Sequence, residues 1–277
     1  MHGEMKDDRD AGPAAALAGF DTTVASPARV WNYWLGGKDH FAADREASER
    51  VLSAMPSLRQ IAQATRRFLK DAVTQLERDY GVRQFLDIGT GLPSADNTHE
   101  VAQAVAAESR VVYVDNDPVV MLHAQTLLTG SAPGVTDYIE ADLRDPGTIL
   151  AQAARTLDFT RPVAVMLLAI LNFISADDHP YEIVNSLMDA AAPGSFLVIS
   201  HVASDIIPEK STAFAREYNE RSSTKVVLRN REEVARFFTG LDLVEPGVVE
   251  VSKWRPRSEI EAAAPNYVWC GVARKTA

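Results

Sequence analysis

The sequence predicts an α/β protein: a doubly wound, mostly parallel sheet of seven strands with a helical N-terminal extension. Three observations predict it. From residue 82 onward, short apolar runs alternate with helical patterns. Most of those runs are apolar on both faces, as in parallel strands covered by helices on each side. Before residue 82 the apolar residues instead recur at steps of three and four, the spacing of amphipathic helices.

Ser26 is a helix cap and Pro27 suits the first helical position, so the first helix runs from Pro27 to Leu35. Gly36-Gly37 stops it. A second helix covers Ala42–Ala54 and ends before Pro56. A third starts after Ser57. Its set Leu58, Ile61, Ala62, Thr65, Phe68, Leu69, Ala72, Val73, Leu76 and Tyr80 makes one buried stripe, closed by Gly81. The strands that follow are Gln84–Ile88, Arg110–Val114, Val135–Glu140, Pro162–Ala169 and Ser195–Ser200. Two later runs, Leu241–Val251 and Tyr267–Arg274, add a closing pair at one edge. The expected organisation is a mobile N-terminus over residues 1–25, a helical extension and lid over 26–81, and the sheet domain over 82–277.

Composition narrows the function. A chain of 277 residues, 46% hydrophobic, suits one sizeable domain with a real core. The net charge of −10 argues against nonspecific contact with nucleic-acid backbones. Cys270 is the only cysteine and sits in an apolar run, so we expect a buried, inert thiol and no disulfide. The acidic start lacks the basic and apolar regions of a secretory signal, and no apolar run approaches a membrane span. A cytoplasmic location without membrane partners is expected. His2, His40, His99, His123 and His179 show no metal-ligand spacing with one another or with Cys270, so no metal is expected.

In a doubly wound sheet, ligands bind beyond the C-terminal strand ends. The first strand runs into Leu86-Asp87-Ile88-Gly89-Thr90-Gly91, where two glycines allow a tight turn and close approach of backbone to a ligand. A helix capped by Asn97, with Glu100 three residues later, follows. A dinucleotide fingerprint needs a third glycine. Ser94 stands there instead, Pro93 lacks an N–H, and the helix starts late, which suits a nucleoside ligand without a diphosphate. The second strand ends in Asp115-Asn116-Asp117-Pro118. Asp115 is placed to accept from ribose hydroxyls, whereas Asp117 reads as a helix cap. At the third strand end, Asp142 can accept from a purine amine with Leu143 against the ring. The alternative for Asp142 is a plain turn carboxylate.

The set FLDIGTG, YVDNDP and EADLRDP, in this order and spacing, resembles the class I S-adenosylmethionine-dependent methyltransferases. More narrowly, SPARVWNYWLGGKDHFAADREAS, DIGTGLPSADNTHEVAQ, YVDNDPVVMLHAQTLL, LVISH, LVEPGVV and KWRP resemble an actinobacterial family. It was first catalogued as a domain of unknown function and later assigned to S-adenosyl methyltransferases. The resemblance runs from about Asp21 to the C-terminus. It implies S-adenosylmethionine as cofactor, a Rossmann-like class I fold and methyl transfer, and it names no acceptor. It also implies that Asp87, Gly89 and Gly91 line the methionine part, that Asp115 holds the ribose, and that Asp142 and Leu143 hold the adenine; Thr90 and Asn116, in the same turns, are further cofactor-binding candidates. Two departures stand out. The family's Leu-His-Phe after the fourth strand is Leu171-Asn172-Phe173 here, and an amide cannot replace a titrating base. His40 stands where asparagine is usual.

The stretch WNYWLGGKDHF, Trp31 to Phe41, carries two readings. One is an aromatic plug between extension and sheet. The other is a lid, with Trp31 and Trp34 as anchors and with Tyr33, Gly36, Gly37, Lys38 and Asp39 facing cofactor and acceptor. Aromatic faces favour a sulfonium, and methyl transfer needs alignment and exclusion of water. Further acceptor-side candidates are Asn172, His201 after the fifth strand, and Trp254 between the last two runs. No catalytic base is assigned. The leading expectation is a methyltransferase acting on a small-molecule acceptor. A noncatalytic S-adenosylmethionine sensor or partner-binding protein and an NAD-dependent oxidoreductase are the alternatives.

Overall fold

A computed structural model describes residues 21–127, 134–222, 224–264 and 266–276. The extension contains α1 (Pro27–Trp34), α2 (Ala42–Ala54) and α3 (Leu58–Tyr80). Helix α1 starts where the Ser26 side chain accepts from the Arg29 N–H. Helix α3 ends at Gly81, which adopts φ 70, the left-handed conformation that glycine enters most cheaply. Its face of Phe68, Leu69, Ala72, Val73 and Leu76 is almost fully buried. Each of the larger side chains among them contributes about 1.5–3 kcal/mol on burial. That outweighs surface pairs, worth roughly 0.2–0.5 kcal/mol each, so tertiary packing holds this long helix in place. The expected mobile segment 1–25 lies outside the described residues up to residue 20. Of residues 21–25, Ala25 is buried.

The sheet domain runs β1 (Gln84–Ile88), α4 (Thr98–Val105), β2 (Arg110–Asp115), α5 (Pro118–Leu127), β3 (Val135–Glu140), α6 (Pro146–Ala153), β4 (Ala164–Leu168), α7 (Pro180–Ala190), β5 (Phe196–Val202), α8 (Pro208–Arg221), α9 (Arg231–Ala235), β6 (Asp242–Leu243), β7 (Val249–Glu250), α10 (Glu259–Ala262) and β8 (Val268–Arg274). The strand order is β3-β2-β1-β4-β5-β8-β6, with β7 also paired to β8. Strands β1 to β5 are parallel, and β6, β7 and β8 join antiparallel at one edge. The order reverses between β1 and β4, which opens a crevice at their C-terminal ends.

The pleat explains the all-apolar strands. Phe85, Val111, Ala164, Met166, Phe196 and Val198 join the core beneath α3. Their alternate neighbours Leu86, Val112, Val165, Leu167, Leu197 and Ile199 join the opposite core, beneath α6 and α7. Three details differ from the sequence reading. The single edge run Leu241–Val251 is two short strands, interrupted at Pro246-Gly247, where proline removes a ladder donor. The sheet therefore has eight strands rather than seven. Strand β5 continues to Val202 by pairing His201 with Trp269 and Val202 with Val268. Among the described residues, no helix is long and apolar enough to cross a membrane.

Candidate active site

A cavity of about 780 Å³ opens at the β1/β4 switch point. That volume lies within the range of about 300–1,000 Å³ usual for small-molecule sites. One wall is the turn after β1. The Gly89 N–H donates to the Val114 carbonyl at 2.8 Å, which locks the turn to the end of β2. Gly89 has φ 75 and Gly91 φ 65, both conformations that side chains resist. A Cβ on Gly89 would stand 2.6 Å from the Ile170 side chain, so the backbone here approaches the β4 loop as closely as glycine alone permits.

The carboxylates along this wall are held by backbone and side-chain donors. Asp115 ends β2, is 9% exposed, and accepts from the Gly91 N–H at 2.8 Å and the Asp117 N–H at 2.9 Å. Asp117 caps α5 through the Val119 N–H at 2.8 Å. Asp87 lies deeper and accepts from the Thr98 hydroxyl at 2.6 Å. Asn116 donates to Asp142 at 3.0 Å, joining the ends of the neighbouring strands β2 and β3. Arg144 also reaches Asp142, at 3.2 Å, and pairs with Asp178 at 3.1 Å. Leu143 is buried beside them. Thus Asp87, Gly89, Thr90, Gly91, Asp115, Asn116, Asp142 and Leu143 all line one cavity, together with Asn172.

The other candidates do not reach it. Pro27, Val30, Trp31 and Trp34 share one face of α1, and that face lines the cavity. Tyr33 is two residues from Trp31, roughly 200° around the helix, and points the other way. Its hydroxyl donates to Glu49, and the Arg59 guanidinium lies over its ring at 5.2 Å. The Gly36–Asp39 turn folds back on α1 instead. The Asp39 N–H donates to Asn32 Oδ1 at 3.1 Å, and a Cβ on Gly37 would stand 2.4 Å from the Asn32 amide. The assignment of Tyr33, Gly36, Gly37, Lys38 and Asp39 to the ligand side is therefore corrected. The two tryptophans expected as anchors are the residues that face the cavity.

His201 and Trp254 are corrected likewise. Because β5 extends past Ser200, His201 lies inside the strand and is fully buried. Its Nδ1 donates to the Val202 carbonyl at 2.9 Å, and its Nε2 accepts from Arg229 at 2.7 Å. Burial and the Arg229 charge push its pKa down to about 3, so it is neutral. Trp254 is 2% exposed and meets Phe68 edge-on at 5.2 Å, closing the core beneath α3. Sequence reasoning missed Arg66, Arg144, Phe214 and Tyr218, which also line the cavity. Phe214 and Tyr218 stand at i, i+4 on α8, and Arg144 follows Leu143 within EADLRDP, so those signals were present. Arg66 had none, since only packing turns that face of α3 inward.

A family model for S-adenosyl methyltransferases matches residues 13–276. The chain belongs to this family. The methyltransferase is similar to a DUF574-family protein from Streptomyces avermitilis, at 42% identity over 92% of this chain and 99% of that chain, with a TM-score of 0.88. It is also similar to a candidate methyltransferase from Thermobifida fusca, at 37% identity over 96% and 100% of the two chains, again with a TM-score of 0.88. At 12% identity it shares its fold with magnesium protoporphyrin IX methyltransferase from Synechocystis, solved with S-adenosylhomocysteine, over 89% and 93% of the chains with a TM-score of 0.53. No curated protein matches the sequence.

S-adenosylmethionine is the cofactor of the methyltransferase, and it supplies a methyl group on a sulfonium. The residues present fit it: a glycine turn that a Cβ would fill, with buried carboxylates suited to hydroxyl, amine and cationic groups. Burial pushes both Asp87 and Asp115 up to about 6. A ligand that needs them ionised therefore binds more weakly as pH falls through 6. We expect S-adenosylhomocysteine affinity to drop several-fold between pH 7.5 and pH 5. The sign for stability is opposite. In the window from about 3.8 to 6 the folded state holds protons that the unfolded state has released, so these two groups stabilise the ligand-free fold more at the acid end. Calorimetry at the two pH values checks the binding trend, and a flat affinity would count against both carboxylates.

Proposed function

We propose that the protein methylates a small-molecule acceptor, using the cavity at the β1/β4 switch point for cofactor and acceptor together. The supporting observation is the mixed lining of that one cavity. Gly89, Gly91, Asp115, Asp142 and Leu143 line it from the strand ends, and the aromatic side chains Trp31, Trp34, Phe173, Phe214 and Tyr218 line it from other elements. In this reading the Gly89–Gly91 turn with Asp87 and Thr90 receives the methionine part. Asp115 and Asn116 take the ribose, and Asp142 with Leu143 takes the adenine. Helix α1 covers the site, excluding water from the reacting atoms. These aromatic residues suit a compact, largely apolar acceptor.

The test is turnover. Incubation with S-adenosylmethionine and a library of small acceptors should release S-adenosylhomocysteine. Calorimetry should show both sulfur ligands binding in the micromolar range, with NAD far weaker. Failure of both sulfur ligands to bind would end this reading. Binding without release across the library would favour the sensor alternative.

A further inference from the structure

The loop after β4 is held from behind the cavity by a buried arginine. Arg229 is 5% exposed. Arg29, equally buried, pairs with Asp44, whereas Arg229 forms no ion pair among the described residues. A buried charge without a counterion is costly, so an arginine here calls for an explanation. Its partners supply one. Nη1 donates to the Leu171 carbonyl at 2.8 Å and to His201 Nε2 at 2.7 Å, and Nη2 donates to the Ile174 carbonyl at 2.8 Å. The guanidinium also lies over the Phe237 ring at 5.4 Å. His201 Nε2 is free to accept because Nδ1 carries the proton and donates to the Val202 carbonyl. Three acceptors on two elements, the β4 loop and β5, require three N–H groups in a fixed fork. A guanidinium presents them, and an ammonium is only a point charge.

The loop so held is the one that meets the glycine turn. Ile170, Asn172, Phe173 and Ile174 line the cavity, and the Gly89 backbone abuts Ile170. The loop is a single 3₁₀ turn, Leu171–Phe173, with the Phe173 N–H donating to the Ile170 carbonyl at 2.9 Å. One such turn is too short to hold itself. Ala169, just before it, is at φ 55, a conformation costly for a side-chain-bearing residue. The restraint therefore comes from outside. Arg229 takes the carbonyls at both ends of the turn, the Val227 N–H takes that of Asn172 at 2.7 Å, and Arg144 takes that of Phe173 at 3.1 Å. Arg229 is itself fixed to the end of β5, where its N–H donates to the Val202 carbonyl at 3.3 Å and its carbonyl accepts from the Ser204 N–H at 3.0 Å.

We infer that Arg229, oriented by His201, is a positioning residue for the cofactor site: by holding the Leu171 and Ile174 carbonyls it seats Ile170 against Gly89 and so fixes the turn that takes the methionine part of S-adenosylmethionine. This assignment rests on the reading of the Gly89–Gly91 turn as the methionine site. Arg229 does not line the cavity, so it acts on the ligand only through the loop. The places for ribose and adenine are set by β2 and β3, which lie on the other side of β1 from β4. Asp142 there is tied to Asn116 as well as to Arg144. Displacing the β4 loop should therefore loosen the methionine end of the cofactor far more than its nucleoside end.

The test compares S-adenosylhomocysteine with 5′-methylthioadenosine, which keeps the nucleoside and the sulfur and lacks the amino acid end. Calorimetry, by displacement for the weaker ligand, gives both affinities for the full chain and for Arg229→Lys, His201→Leu and His201→Gln, with a thermal melt of each. Arg229→Lys should weaken S-adenosylhomocysteine at least about tenfold and 5′-methylthioadenosine by no more than about twofold, because one ammonium cannot reach all three acceptors. His201→Leu leaves an Arg229 N–H unpaired and should shift the same ratio by a smaller factor. His201→Gln returns an acceptor near the place of Nε2 and should recover most of that loss; no recovery would overturn the role given to His201. Unchanged S-adenosylhomocysteine affinity in a folded Arg229→Lys would overturn the assignment. So would equal weakening of both ligands, which would make Arg229 a support of the fold as a whole. Failure of both Arg229→Lys and His201→Leu to fold would overturn it for the same reason, and if only one of them folds, its two affinities decide. Wild type that binds neither ligand would instead sink the cofactor reading itself.

Discussion

Asp115→Ala weakens binding of S-adenosylmethionine and S-adenosylhomocysteine by on the order of 10²-fold or more and leaves the protein folded. The carboxylate lines the cavity at the end of β2, and each of its two oxygens accepts one backbone N–H and keeps further acceptor capacity. Charge-assisted bonds to ribose hydroxyls are worth roughly 1.5–3 kcal/mol each, and about 1.4 kcal/mol is tenfold in affinity. Alanine removes both and also releases the Gly91 N–H, loosening the glycine turn. Asp115→Asn keeps the shape and one acceptor oxygen, so its loss should be smaller. Calorimetry with a thermal melt alongside separates binding from unfolding. Unchanged affinity in a folded alanine variant would mean that another carboxylate holds the ribose.

Gly89→Ala destabilises the fold by about 2–5 kcal/mol, well beyond Gly91→Ala at about 1–2 kcal/mol. Both residues have positive φ, which costs a side-chain-bearing residue roughly 1–2 kcal/mol. Only Gly89 adds a collision. Its Cβ would meet three Ile170 side-chain atoms at 2.6–2.7 Å, whereas nothing lies within 4 Å of a Cβ on Gly91. Forcing volume into a packed site costs about 1–3 kcal/mol more. Relief requires Ile170 to move, and Asn172 with it, so cofactor and acceptor sites should loosen together. Denaturant unfolding of the two variants measures the difference. Equal destabilisation would show that the β4 loop yields at little cost.

Local chemistry made much of this legible from residue order. A helix cap is a matter of a few neighbouring residues, so Ser26-Pro27, Asn97 with Glu100, and Gly81 located helix ends that the structure also has. The strands followed from their apolar runs, because a parallel sheet buries both faces and leaves no polar alternation to misread. The edge was harder. Proline in the run Leu241–Val251 interrupts pairing, and residues flanking such a break still look like strand.

The order of residues by itself determined the fold class, the family, and which short segments stand at the ends of β1, β2 and β3. Those are properties of period, caps and strand termini, all set within a few residues. Only the tertiary structure decided which side chains of those segments meet. The rotation of α1, fixed by burial of Arg29 against Asp44 and of Asn32 against Gly37, turned Trp31 and Trp34 toward the cavity and Tyr33 away. Two further residues of pairing drew His201 into β5, and the apolar face of α3 claimed Trp254. Arg66 and Asn172 entered the site through contacts between elements far apart in sequence. Such contacts depend on the docking angle and rotation of whole elements, and sequence spacing along one element carries no record of them.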